Sequence, residues 1–151
     1  MAEWTSVAVQ TVNPGEAIVF TENPVQCTRG YVLHRNDSGA FLMKGFDTGT
    51  SRGCGCCGNN RVVDYEVAFG ANIAIPTGSA VGPISVAFAL DGNTLAGTEM
   101  VVNPAAAEDF FNVSRETNVS IWKGCCQTLS IRNTSTIPIL VQAANIVFDK
   151  K

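Results

Sequence analysis

The side chains best equipped for chemistry are six cysteines. Cys27 stands alone, Cys54, Cys56 and Cys57 crowd into a glycine-rich stretch, and Cys125 and Cys126 are adjacent. Three uses compete. The first is a set of disulfides, linking the Cys54–Cys57 stretch to Cys125-Cys126 or linking subunits, each closed loop adding about 2–4 kcal/mol. The second is a structural zinc site, since thiolates are soft ligands that suit tetrahedral Zn²⁺. Against zinc, the spacing Cys-x-Cys-Cys with Cys-Cys is not a paired Cys-x2-Cys knuckle, and neighbouring cysteines rarely both reach one ion. The third is that they stay reduced and fill space, as buried thiols often do. Cys27 reads as a separate buried thiol.

Other reactive groups are sparse. His34 is the single histidine, and it sits in a hairpin pattern with no carboxylate spaced to partner it. Cys-His nucleophilic catalysis is formally available, but a hydrogen-bonded surface histidine is the simpler reading. Asp37, Asp47 and Asp91 fall in turn segments, as acids do in any β-protein, with calcium binding the alternative. The sequence holds no Gly-x-Ser-x-Gly elbow, no His-Glu-x-x-His and no phosphate-binding glycine loop. No catalytic residue is assigned, no cofactor beyond the possible zinc is expected, and the chain reads as a non-enzyme.

The elements that would position these residues are strands. Residues 63–75 alternate, with Val63, Tyr65, Val67, Phe69, Ile73 and Ile75 on one side and the small Ala71 among them. Period two over this length argues a β-strand. Residues 84–90 repeat the pattern with Ile84, Val86, Phe88 and Leu90, and Asp91-Gly92 closes the run with a turn signal. The opposite sides are small and almost uncharged: Ala68, Gly70, Asn72 and Ala74 on the first strand, Ser85, Ala87 and Ala89 on the second. A wet sheet face would carry Lys, Glu, Thr and Arg. These seven residues are therefore the expected contact surface for neighbouring subunits, with a thinly decorated outer sheet as the plain alternative.

Elsewhere, residues 27–44 read as a hairpin, with 31–35 and 40–44 flanking the turn Asn36-Asp-Ser-Gly39. Residues 46–60 read as a loop. Asn103, Pro104, Glu108 and Asp109 predict a short helical turn over 104–111. In the final strand the apolar register moves from Ile137, Ile139 and Val141 to Ile146 and Phe148, which predicts a bulge near Ala143-Ala144. The sum is about eight to ten antiparallel strands in one domain spanning 1–151, an all-β jelly-roll β-sandwich.

The totals narrow the partners. Charged residues make up 15% of the chain and hydrophobic ones 46%, with a net charge of −3. Low charge suits a surface hidden in an assembly, and the acidic balance argues against nucleic acid. No apolar run approaches the roughly 20 residues of a membrane span, so no membrane insertion is expected. The opening Met-Ala-Glu-Trp-Thr-Ser lacks the basic start and apolar core of a secretory signal.

Several stretches together resemble bacterial and phage C1q/TNF-like jelly rolls. They are Val12-Asn-Pro-Gly-Glu-Ala-Ile-Val-Phe20, Gly39-Ala-Phe-Leu-Met-Lys-Gly45, Tyr65-Glu-Val-Ala-Phe69 and Val86-Ala-Phe-Ala-Leu-Asp-Gly92. Gly124-Cys-Cys-Gln-Thr-Leu-Ser-Ile-Arg-Asn-Thr-Ser135 and Ala144-Asn-Ile-Val-Phe148 complete the likeness, which runs from Val12 to Phe148. It implies a homotrimeric structural protein of a virion, of the capsid-decoration or head-fibre type, or of an extracellular cell surface reached without a signal peptide. The partners implied are further copies of the chain and other virion or surface proteins. Two alternatives stand beside it: a spore-surface or appendage filament subunit cross-linked through cysteines, and a glycan- or receptor-binding module using Trp4 or Trp122. The chain departs from the resemblance in having no Gly-X-Y stalk before the domain and in its cysteine-rich stretch.

Overall fold

The computed structural model describes residues 1–35, 38–45 and 62–151. Among these residues the chain forms twelve strands and a single 3-10 turn at Ala96–Thr98, somewhat more strands than the eight to ten expected. The excess comes from short pieces such as β2 (Gln10–Val12), β8 (Asn93–Thr94) and β9 (Met100–Val102), too brief for an alternation to register in sequence.

Two antiparallel sheets face each other. Sheet A runs in the order β10 (Phe111–Trp122), β6 (Val62–Ala74), β12 (Ile139–Lys150), β1 (Ala2–Ser6), β3 (Glu22–Val25), with β2 also pairing β12. Sheet B runs β4 (Val32–His34), β5 (Phe41–Lys44), β11 (Cys126–Asn133), β7 (Ile84–Leu90), β8, with β9 also on β7. From β5 onward the chain crosses between sheets at almost every connection: β5 to β6, β6 to β7, β9 to β10, β10 to β11 and β11 to β12. This wrapping is that of a jelly roll.

The core is one cluster between the sheets. Val63, Tyr65, Val67, Phe69, Ala71, Ile73 and Ile75 are all buried in it, as their alternation requires, and so are Ile84, Val86 and Phe88. At one end Trp4, Phe20, Phe41 and Phe148 pack ring to ring, with centroids 5.1–5.7 Å apart. Such tilted and edge-on pairs favour the aromatic quadrupoles. The Tyr65 hydroxyl reaches the carbonyls of Tyr31 and Lys44, tying sheet A to the β4–β5 hairpin.

Local details follow from single residues. Asp91 and Gly92 both take positive φ, 50° and 83°, the pairing that a two-residue hairpin turn between β7 and β8 demands. The expected bulge in β12 is present: the register with β6 shifts between Gln142 and Asn145, and Ala143 has φ 50°. The helical turn expected over 104–111 does not form. Glu108 adopts φ 60° and donates its N–H to the Ile75 carbonyl 2.8 Å away, so this segment spends its hydrogen bond on the end of the β6 run instead of on itself.

Candidate functional site

The two small-residue rows expected to form one interface lie on opposite outer faces, because β6 belongs to sheet A and β7 to sheet B. Parity along a strand fixes which residues share a face but not the sheet that the strand enters. On sheet A, Ala68, Gly70 and Asn72 are half-buried. Their cross-strand neighbours are Glu116, Ser114 and Asn112 on β10, with Val147, Asn145 and Gln142 on β12. Asn112 donates its side-chain amide to Asn72 Oδ1 at 3.2 Å. Ala74, at the end of this row, is fully buried within the chain.

On sheet B the row is already covered. Ala87 and Ala89 have no exposed surface and Ser85 only 7%. Ser85 is held by the turn after β11. Its Oγ lies 2.7 Å from Thr134 Oγ1, its N–H donates to Ser135 Oγ at 2.7 Å, and its carbonyl accepts from Thr134 N–H at 3.0 Å. Ala87 and Ala89 stand directly across from Arg132 and Ser130 of β11. Directly opposed side chains share one face at close range, so small residues on β7 leave that face to Arg132. Ala74, Ser85, Ala87 and Ala89 are thus buried within the chain itself.

Around Arg132 the outer face of sheet B is grooved. One hollow of about 510 Å³ is lined by Gly15, Thr94, Ala96, Glu99 and the turn Asn133–Ser135. A second, of about 530 Å³, is lined by Ala17, Gly39, Ala40, Asp91, Thr128 and Ser130. Gly92 and Arg132 line both, so the two hollows meet there. The guanidinium is oriented by two hydrogen bonds, Nε to Ser130 Oγ at 3.2 Å and Nη1 to the Gly15 carbonyl at 2.9 Å. No ion pair joins it to a carboxylate among the described residues. Asp91 is occupied elsewhere, its Oδ1 accepting the Thr128 N–H at 2.9 Å. Glu99 accepts from Thr134 Oγ1 at 3.3 Å. Sequence reasoning did not single out Arg132. The available signal was one cation on the outward side of an otherwise uncharged strand, 127–131, facing a row of alanines.

The remaining candidates are scattered. Cys54, Cys56 and Cys57 lie outside the described residues, as do Asp37 and Asp47. Cys125 is buried and Cys126 half-buried, and neither is a free thiol. Their turn is bound to the end of β5, with Gly45 N–H donating to the Cys125 carbonyl at 2.7 Å. Residue 45 must be glycine there, because a β-carbon would fall 2.3 Å from the Trp122 carbonyl oxygen. Cys27 is a free, half-buried thiol. Among the described residues no group of three or more His, Cys, Asp or Glu side chains could hold a metal ion. His34 stacks on Phe41 at 4.5 Å, and its Nε2 lies 2.7 Å from the Ser38 carbonyl. Trp4 is buried in the aromatic cluster and so is not a ring for an external ligand, whereas Trp122 is half exposed beside Val62 on sheet A. No helix among the described residues is long and apolar enough to cross a membrane.

No family model and no curated protein matches the chain. Several solved structures align over most of the chain. The C-terminal domain of EclA, described as a sugar-binding protein, aligns over 97% of this chain and 79% of its own, with 11% identity and a TM-score of 0.38. A GH26-CBM35 β-(1,4)-mannanase from Podospora anserina aligns over 95% of this chain and 28% of its own, with 13% identity and a TM-score of 0.37. The CBM22-1 xylan-binding domain of Xyn10C from Paenibacillus barcinonensis aligns over 97% and 92%, with 15% identity and a TM-score of 0.34.

Proposed function

We propose that this chain is a non-enzymatic structural subunit that assembles with copies of itself, as a homotrimer on a virion or an extracellular surface. The observation that carries this reading is the edge of sheet A. β10 is twelve residues long, pairs β6 over its whole length, and has no strand on its other side among the described residues. The other edges are short: β3 has four residues and contains Pro24, β4 and β9 have three each, and β8 has two. Natural sheets blunt or cover long edges because unpaired N–H and C=O groups recruit other chains. β10 also carries exposed Phe111 and Trp122 at its two ends.

The counterpart surface in this reading is the uncharged part of sheet A. Asn72, Gly70, Asn112, Ser114, Gln142 and Asn145 form a patch without a large side chain to hold a neighbour away. An edge meeting a different surface on the next copy is a heterologous contact, which closes as a ring where the rotation between copies closes and runs on as a filament where it does not. A capsid-decoration or head-fibre protein would use such a ring. In the alternative assembly, a spore-surface or appendage filament, neighbours are joined covalently through cysteines other than the already bonded Cys125 and Cys126. Native mass spectrometry with and without reductant tests both. A trimer that survives reductant supports the first, a mass that falls with reductant supports the second, and a monomer throughout overturns assembly.

A second reading, a glycan- or receptor-binding module, is favoured by the groove around Arg132. It lies on the sheet that assembly through β10 leaves uncovered. Binding on a glycan array, with the groove altered and with Trp122→Ala, separates this site from the exposed tryptophan.

A further inference from the structure

We propose that the groove on sheet B takes a carboxylate-bearing saccharide, with Arg132 as the anchor for the acid group. The inference rests on the second reading above and specifies its ligand. It starts from the guanidinium. Arginine has five N–H donors in a rigid plane and cannot lose its charge. Here Nε binds Ser130 Oγ and Nη1 binds the Gly15 carbonyl, both neutral oxygens. Those bonds fix the plane without neutralising it, and they leave donors on Nη1 and Nη2 unspent. A half-buried, oriented cation with no carboxylate of its own among the described residues is prepared for an external anion, and a carboxylate matches its paired N–H groups.

The lining indicates what carries the acid. Thr94, Thr128, Ser130, Thr134 and Ser135 place hydroxyls around Arg132, those of Ser130, Thr134 and Ser135 already bonded within the chain, and backbone is exposed at Gly15 and Gly92. The apolar lining is alanine alone, at Ala17, Ala40 and Ala96. A peptide would find no pocket for a hydrophobic anchor, whereas a sugar ring offers hydroxyls to meet hydroxyls along the hollow. The two hollows meet at Arg132 and extend on either side of it, which suits an acidic residue with a neighbouring sugar. The lining holds no aromatic ring for stacking, so each groove binds with modest affinity.

The acids at the rim sharpen the test. Glu99 is exposed and lines the same hollow as Arg132. Its charge opposes an incoming carboxylate, so Glu99→Gln should strengthen binding of an acidic sugar while Arg132→Gln weakens it.

The experiment is a titration of the full chain by amide NMR with digalacturonic acid, the neutral disaccharide cellobiose, acetate, and a short peptide with a free C-terminus. Digalacturonic acid is expected to shift amides around Gly92 and Arg132 in a saturable way. Arg132→Gln should weaken this at least about tenfold, Arg132→Lys should weaken it less, and Glu99→Gln should tighten it a few-fold. Both arginine variants are checked by thermal unfolding, and the exposed Glu99→Gln keeps the test open should they misfold. Cellobiose binding as well as digalacturonic acid, with no effect of Glu99→Gln, overturns the anchor and leaves a neutral-glycan module. Acetate or peptide binding equally well overturns the saccharide. No shift with any probe overturns both the anchor and the glycan reading.

Discussion

The Oδ1 of Asn145 sits 2.9 Å from the point a β-carbon on Gly70 would occupy. The two residues are paired across β12 and β6 immediately after the β12 bulge, so the amide lies over the glycine on the outer face of sheet A. Gly70→Val must displace Asn145 and roughen the patch proposed to meet a neighbouring subunit. The expected cost is about 1–3 kcal/mol in urea unfolding, the usual range for overpacking. A Gly70→Val, Asn145→Ala double variant should recover part of that stability.

Residues 68 and 87 separate folding from assembly. Ala87 has no exposed surface, so Ala87→Glu buries a charge beside the β7–β11 pairing. It should lower stability by about 3 kcal/mol or more, or prevent folding. Ala68→Arg, on the half-buried outer row and opposite Glu116, should leave the unfolding free energy within about 0.5 kcal/mol of the parent. It should still reduce the oligomer mass measured by light scattering. An Ala68→Arg protein of unchanged mass would count against a contact surface on sheet A.

Burial pushes the Tyr31 phenol above its ordinary value of 10.0, with the nearby Cys27 and Asp149 adding to the rise and Arg29 opposing it. The folded state therefore holds this proton more tightly than the unfolded chain does. Stability from this group is complete below pH 10 and declines as pH rises beyond that toward the folded-state pKa. Denaturation midpoints should fall through this alkaline range, and less steeply in Tyr31→Phe. An absorbance titration should show a tyrosine ionising later than a free one.

The cysteines should divide by position. Alkylation of the native, unreduced protein should label Cys27 and leave Cys125 and Cys126 unmodified, since Cys27 alone among the described cysteines is a free thiol. Peptide mapping after reduction and a second alkylating reagent distinguishes the two groups. Labelling of Cys125 or Cys126 in the first step would remove these residues from any covalent framework.

Much of the architecture was legible because it depends on alternation. The buried side of β6, from Val63 to Ile75, is visible in the sequence since each strand residue declares its face by parity. The β12 bulge was legible for the same reason, as a change of parity between Val141 and Ile146. What parity does not carry is the partner of each strand. The rows at Ala68 and at Ala87 look alike in sequence and lie on opposite outer faces, because the β6–β7 connection crosses between sheets. The lost helical turn has a similar cause: the capping residues at Asn103 and Pro104 are local signals, and the Ile75 carbonyl that takes the Glu108 N–H is distant in sequence. Arg132 was overlooked because a single cation on a strand reads as solvent-facing until the tertiary fold surrounds it with Gly15, Thr94 and Ser130.

The groove lies on sheet B and the long open edge on sheet A. In the proposed assembly, joining copies through β10 would multiply the grooves without covering them. A weak site repeated in fixed geometry engages a polymer at high effective concentration, and avidity can exceed single-site affinity by about 10²–10⁴. In the proposed assembly each contact would exchange quickly while the whole stayed bound, so it would move along an acidic polysaccharide without letting go.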